Sequence, residues 1–387
     1  MKILHTSDWH IGRYFENESL ADDQWSFITW LVSVIKDESV DLLVVAGDIW
    51  DKASPRPEAV QLLADALDLL EELGIDAVFI SGNHDNAVRL AFRGQDKGRH
   101  GVKIFADDLN YPTPYLYEKN GEQLVILPIP FLDPQRFLTP LPGADGQPRK
   151  RSHENALADA VSVGRERMAM YGDVPSMVIA HSFVAGSQIS DSERRAVGGT
   201  DVVSASVFDD FDYVALGHLH RPQTIDGKEW IAYSGTPLPY SFSEEAQKSV
   251  RVVEITTSGF ESARVIDVPM GRKVKVLKDT MGNLLLKPEY DEFKDYWISV
   301  KLLDEIVQEQ PVDRLRKRFP HIASLGYANV RQSGTGGPLV GSIADAGREP
   351  DEIIADYVRD MQRRDANDFE KEVISTTLRA IESSVDQ

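Results

Sequence analysis

The chain has 387 residues, 42% of them hydrophobic, which suffices to bury a large core and leaves room for two or three domains. Its formal charge is 42 − 62 = −20, which argues against a free-standing DNA binder, because duplex binding normally rests on a basic footprint. The lack of cysteine excludes disulfides and thiolate metal sites. No apolar run nears the roughly 20 residues of a membrane helix, and the chain reaches Asp8 too soon for a signal peptide, so a cytoplasmic enzyme without membrane attachment is the simplest expectation.

Short apolar runs rich in β-branched residues punctuate the first 220 positions, and each stops at a polar residue able to do chemistry. Residues 2–7 precede Asp8, 42–46 precede Gly47-Asp48, and 77–80 precede Asn83-His84. Helical spacing separates them. Leu20, Phe27, Leu31 and Ile35 form one stripe. Leu62, Leu63, Ala66, Leu70 and Leu73 form the next, with Pro57 near its start and Gly74 just past its end. Strand, helix, strand, helix, strand in that order predicts parallel pairing, with ligands beyond the carboxyl ends of the strands.

A loop at 140–148 leads to a helix over 152–171, then to strands at 177–180 before His181 and 213–216 before Gly217-His218. Alternating segments at 230–233, 250–255 and 263–268 are expected to complete a second sheet. We therefore place the main domain at 1–270 and a small α+β cap at 271–330, with a strand near 297–302 and a helix near 312–319. The five glycines in 331–350 mark a flexible linker. A helical tail follows over 351–387, with apolar stripes of Ile353, Ile354, Tyr357, Val358 and Met361, then Phe369, Val373, Ile374 and Ile381.

Asp8 and His10 stand two residues apart at a strand end, so their side chains can share one side and grip a cation, and His218 and His220 repeat the arrangement. Either pair alone most often marks only the solvent face of a strand. The bland reading weakens once Asp48, Asn83, His84 and His181 are added at three further strand ends. Oxygen and imidazole donors without thiolate suit Mn(II), Fe or Zn in an open catalytic site. Two such ions sharing a carboxylate lie about 3.5–4 Å apart and suit in-line displacement at phosphorus.

Thr6-Ser7-Asp8-Trp9-His10, Ala46-Gly47-Asp48, Ser81-Gly82-Asn83-His84-Asp85, Ala180-His181-Ser182 and Gly217-His218-Leu219-His220 resemble, in order, the five signature blocks of calcineurin-like metallophosphoesterases. The opening Ile3 to Gly12 and the later Tyr233 to Phe242 resemble the bacterial SbcD branch of that superfamily. The resemblance implies an α/β fold, a four-layer αββα sandwich. It also implies two divalent metal ions, manganese first, with magnesium, iron or zinc as alternatives. By position, Asp8, His10, Asp48 and His220 would hold one ion, and Asp48, Asn83, His181 and His218 the other. His84 matches the family's catalytic histidine, and Asp85 is expected either to orient it or to cap the helix beginning at Ala87. Where archaeal and eukaryotic relatives carry histidine three residues after the bridging aspartate, this chain has Asp51.

The implied activity is manganese-dependent DNA cleavage, as double-strand 3′ exonuclease and as single-strand and hairpin endonuclease, in repair, recombination and replication. The implied partner is an SbcC-type ABC ATPase docked through the tail, with the chain dimeric inside a heterotetramer. Candidate DNA contacts are Arg13, Arg221 and the basic run Arg89, Arg93, Lys97 and Arg99, which is otherwise read as a solvated face. Two rival functions stand beside this one. A phosphatase or cyclic-nucleotide phosphodiesterase fits the net charge more easily but has little use for cap, linker and tail. A non-catalytic metal-binding scaffold has no use for His84.

Overall fold

The computed structural model describes residues 1–16, 18–94, 101–137, 141–142, 146–147, 149–188 and 202–328, together with 367, 370–373 and 375–376. Two six-stranded sheets dominate it. In the first, β1 (Lys2–Thr6), Leu42–Ala46, Asp76–Ile80 and Val102–Phe105 lie side by side, all parallel. The other edge of β1 pairs antiparallel with Ser249–Thr256, and that strand with Gly259–Asp267. In the second sheet the order is Gln223–Ile225, Lys228–Tyr233, Tyr213–Gly217, Ser176–His181, Glu122–Ile129, Tyr115–Lys119, with the middle four parallel.

The side-chain alternation of a strand explains why the sheets stack. In Leu42–Ala46 every residue is buried: Leu43 and Val45 face helices, while Leu42, Val44 and Ala46 face the other sheet. Such continuously apolar strands are what a sheet covered on both sides requires. The outer face of the first sheet is covered by α1 (Ala21–Asp37) and α2 (Pro57–Leu73), through Phe27, Leu31, Leu63 and Leu67 among others. A third helix, α3 (Ala87–Gly94), contributes Leu90 to the same core. The second sheet is covered by α4 (His153–Met168), through Ala156, Leu157, Ala160 and Val161. Fully burying a side chain such as Leu63 or Val44 contributes about 1.5–3 kcal/mol. The four layers are those the resemblance implied.

Helix ends follow local chemistry. Pro57 opens α2, and Gly74 closes it with φ of 71°. The Ser152 hydroxyl accepts the amide of Asn155 at 3.2 Å to start α4, a cap whose loss costs about 1 kcal/mol. One expectation is corrected. The strands Ser249–Thr256 and Gly259–Asp267 extend the first sheet, and only Lys228–Tyr233 joins the second. The register decides it: Ile3, Leu4 and His5 of β1 pair with Val253, Val252 and Arg251, and the alternation of apolar residues alone carries no information on which edge a strand will find.

Contacts divide the chain into two units. The first comprises Met1–Leu277, Pro288–Val300 and Arg316–Ser324. Within it, Val274 and Trp297 share a buried cluster with Phe15, Leu20, Leu238 and Tyr240. The second comprises Lys278–Lys287, Lys301–Leu315 and the described residues from Leu325 onward. It holds a short helix, Met281–Leu286, whose first amide donates to Asp304 Oδ2 at 2.7 Å, and most of Pro311–Arg316, the helix expected near 312–319. The linker at 331–350 and the first tail stripe lie outside the described residues, as do Phe369, Ile374 and Ile381 of the second.

Candidate active site

Five parallel strands, three in the first sheet and two in the second, deliver their carboxyl ends to one place. There the backbone turns sharply: Asp8, His10, Asp48 and His218 have φ of 53°, 44°, 51° and 106°, in the left-handed region that non-glycine residues avoid. Each such residue costs about 1–3 kcal/mol and persists only where its surroundings over-determine it. Here they do. The amides of Asp8, His10 and Ile11 donate to the carbonyls of Gly47, Asp48 and Ile49 at 2.8–2.9 Å, zipping the two loops together. Gly82 leaves room for the Asp48 carboxylate, into which any Cβ at that position would run.

The side chains so presented converge. Nε2 of His10 and Nε2 of His220 face each other at 3.2 Å. Asp48 Oδ2 stands 3.6 Å from His10 Nε2 and 3.4 Å from His181 Nε2, close to a ligand of each group. On the far side, Asn83 Oδ1 lies 3.0 Å from His181 Nε2 and 3.0 Å from His218 Nδ1. Asp8, His10 and His220 form one potential cation cluster, and Asp8, Asp48 and His181 another. Donors of this kind, crowded lone pair against lone pair and almost wholly buried, fit divalent cations placed between them.

The groups behind these rings decide which nitrogen faces inward. His181 Nδ1 meets the carbonyl of Ala46 at 2.9 Å, and a carbonyl can only accept, so Nδ1 carries the proton and Nε2 is free to ligate. His220 Nδ1 meets Glu244 Oε1 at 3.3 Å, with the same consequence. Burial holds His10 well below the usual imidazole range and His218 down at about 3, keeping both neutral as ligation requires. Burial pushes the Asp8 carboxyl up to about 6. Burial opposes charge on His181 and Asp48 too, but their mutual attraction wins, raising His181 to about 9 and holding Asp48 well below the carboxylate range, so a cation taking this place would displace a proton from His181 Nε2. Asp48 is thus the ionised centre of the site.

His84 sits beside this cluster. Its amide donates to Asp48 Oδ1 at 2.8 Å, its Nδ1 lies 2.7 Å from the carbonyl of Asp51, and its Nε2 stands 4.0 Å from Asp48 Oδ2. Asp85 is placed differently from either expectation. Its carboxylate accepts the amides of Gly82, Ile49 and Trp50 at 2.9–3.0 Å, clamping the loop that carries Asp48 to the loop that carries Asn83 and His84. The helix cap is supplied by Asn86, whose Oδ1 accepts the amide of Arg89 at 3.1 Å, and the His84 ring is oriented by Asp51. Burial, reinforced by the charge of Asp48, pushes the Asp85 carboxyl up to about 7.

The model of the calcineurin-like phosphoesterase family matches residues 1–222. The chain belongs to the calcineurin-like phosphoesterases. It is 32% identical over 294 residues to the SbcD component of the SbcCD nuclease of Escherichia coli (strain K12), covering 75% of this chain and 74% of that protein. To the SbcD component of the SbcCD nuclease of Bacillus subtilis (strain 168) it is 32% identical over 341 residues, covering 86% and 85%. Within the phosphoesterases it therefore stands in the SbcD branch.

Of the candidate DNA contacts of this phosphoesterase, Arg13, Arg89 and Arg221 have described side chains. Arg13 donates to Asp51 Oδ1 at 2.7 Å and lies over the ring of Tyr240, next to His10. Arg89 and Arg221 are exposed. Lys97, Arg99 and the side chain of Arg93 lie outside the described residues. Sequence reasoning missed Glu244, Lys248, Thr236 and the part played by Asp51. Glu244 and Lys248 are spaced like an ordinary surface ion pair four residues apart, and only their burial, at 4% and 5% exposure, sets them apart.

Proposed function

We propose that this phosphoesterase is the DNA-cleaving subunit of an SbcCD-type complex, hydrolysing phosphodiesters with two divalent cations, manganese by preference. The observation that carries the reading is Asp48 Oδ2, which stands between His10 on one side and His181 on the other within 3.6 Å of each. Asp8, His10, His220 and Asp48 would hold one cation; Asp48, Asn83, His181 and His218 the other. When bound, the pair neutralises charge on the phosphoryl oxygens and acidifies the attacking water.

The chain's own residues supply the rest. The strained loops at Asp8, His10, Asp48 and His218 fix the donors before substrate arrives, so no reorganisation is needed as charge develops. The Asp51 carbonyl holds a proton on His84 Nδ1, so Nε2 is the nitrogen left for the reaction, and in the protonated ring it would donate its proton to the leaving oxygen. Asp85 keeps the two loops in register by its three backbone bonds. Arg13 and Arg221, next in sequence to the His10 and His220 motifs, would contact a DNA strand, as would the basic run that begins at Arg89 in the sequence.

A chain of net charge −20 needs a partner for duplex DNA. That partner is an SbcC-type ABC ATPase, bound through the tail beyond residue 350, with two copies of this chain in the assembly. The setting is the processing of DNA ends and hairpins in repair, recombination and replication, in the cytoplasm. A chain ending at Leu339 that still co-purified with the ATPase would remove the tail from this role. The test of the activity is purified chain with manganese, offered a labelled hairpin duplex and bis-p-nitrophenyl phosphate side by side. Cleavage of both, abolished by chelator, is expected. Hydrolysis of the small diester with the hairpin untouched, also in the presence of the ATPase, would favour a small-substrate phosphoesterase instead.

A further inference from the structure

The two-cation reading leaves one buried group of charges without a task. Glu244, 4% exposed, and Lys248, 5% exposed, form an ion pair directly behind His220. Taking such a pair out of water generally costs as much as its attraction returns, so stability alone is a poor reason for it. We propose that Glu244, held by Lys248 and Thr236, is a positioning residue that presents His220 Nε2 to the cation beside Asp8 and His10.

Four observations carry this. Glu244 Oε1 faces His220 Nδ1 at 3.3 Å, and a carboxylate there accepts the ring proton, fixes the tautomer and raises the basicity of the opposite nitrogen. The second oxygen, Oε2, is taken by Lys248 Nζ and by Thr236 Oγ1 at 3.2 Å, so the carboxylate cannot rotate away. Lys248 Nζ has three protons and three acceptors: Glu244 Oε2, Thr236 Oγ1 at 2.7 Å and the carbonyl of His220 at 3.1 Å. The amide of Thr236 donates to that same carbonyl at 3.1 Å. His220 is therefore gripped at ring and backbone by one network.

The inference rests on the proposed two-cation site, and its test separates the two. Full-length wild type, Glu244→Gln and the double variant Glu244→Gln/Lys248→Met, which avoids stranding the lysine charge, are titrated with manganese(II) alone by calorimetry. Melting in EDTA is recorded beside each titration. The expected result is two ions in the wild type. In the folded double variant, one of them should bind about 10–100-fold more weakly with the other unchanged. Turnover of the small diester should fall with its KM little altered. Two ions held as tightly in both variants as in the wild type would overturn the role of Glu244 alone. A collapse of the fold in EDTA in both variants would overturn it in favour of a structural role. Fewer than two ions in the wild type would bring down the two-cation reading, and this assignment with it.

Discussion

The two halves of the cation cradle each offer two histidines and a share of Asp48, differ in Asp8 against Asn83, and are also supported differently. On one side the rings of His10 and His220 each turn Nδ1 toward a carboxylate: Glu244 Oε1 at 3.3 Å from His220, and Asp51 Oδ1 at 3.8 Å from His10. On the other side His181 rests on the carbonyl of Ala46, and His218 turns Nδ1 inward to Asn83. An anionic neighbour raises the basicity of an imidazole more than a carbonyl does. The half formed by Asp8, His10 and His220 should therefore keep its ion longer when chelator is added. Nearly identical ligand sets can thus be made unequal by what lies behind them.

The largest effect is expected at Asp48, which belongs to both halves. Asp48→Asn removes the charge that faces His10 and His181 while leaving an oxygen for the amide of His84. Manganese uptake and hydrolysis should fall together, activity by at least about 10²–10³-fold, the scale of removing one charge-stabilising group, with the far-UV circular dichroism unchanged. A variant that kept full activity, or lost ions from one half only, would show that Asp48 is not shared.

Next comes His84, which belongs to neither half. His84→Ala should retain both manganese ions, since its Nε2 stands 4.0 Å from Asp48 Oδ2, farther than the Nε2 of His10 or His181, while turnover drops by about 10²–10⁴-fold. Parallel loss of metal and turnover would instead make it a ligand, as its grouping with His10 and Asp48 allows.

These predictions separate what was legible in the sequence from what was not. Strand ends carrying Asp8, Asp48, Asn83, His181 and His218 could be read because a parallel sheet concentrates chemistry at its carboxyl edge, and apolar runs mark where each strand stops. Four of the site's residues, His10 among them, could not be seen to share one backbone peculiarity until φ was known. Edge placement was misread for the strands Ser249–Thr256 and Gly259–Asp267, because the alternation of apolar residues is the same whichever sheet a strand joins. The support shell stayed hidden for a related reason. Asp51, Glu244 and Lys248 are charged residues whose sequence spacing suits a solvated surface, and only tertiary burial turns them inward. Asp85 was recognised but given the wrong task, since three backbone amides from two loops are not visible in a local motif.

The smallest effect belongs to Asp51, and it sharpens the comparison most. Its carbonyl, which orients His84, survives any change of side chain, so Asp51→Asn should leave the proton-transfer geometry intact. What changes is the carboxylate: Arg13 loses an ion-pair partner at 2.7 Å, and His10 loses a negative charge whose nearest oxygen, at 3.8 Å, is too far for a hydrogen bond. The pair with Arg13 is partly open to solvent, so stability should drop by only about 1 kcal/mol, read as a lower denaturant midpoint at unchanged slope. Without a hydrogen bond to lose, the ion beside His10 should bind less than about 10-fold more weakly, below the range expected for losing a carboxylate that does bond the ring. Turnover should fall by no more than that. If Asp51→Asn instead weakened that ion as strongly as Glu244→Gln, the carboxylate behind His10 would have to close on its ring when the cation binds, and the two histidines of this half would be supported alike. If it weakened the ion beside His181 equally, backing by carboxylates would not be what distinguishes the halves, and the difference would have to lie in Asp8 on one side against Asn83 on the other.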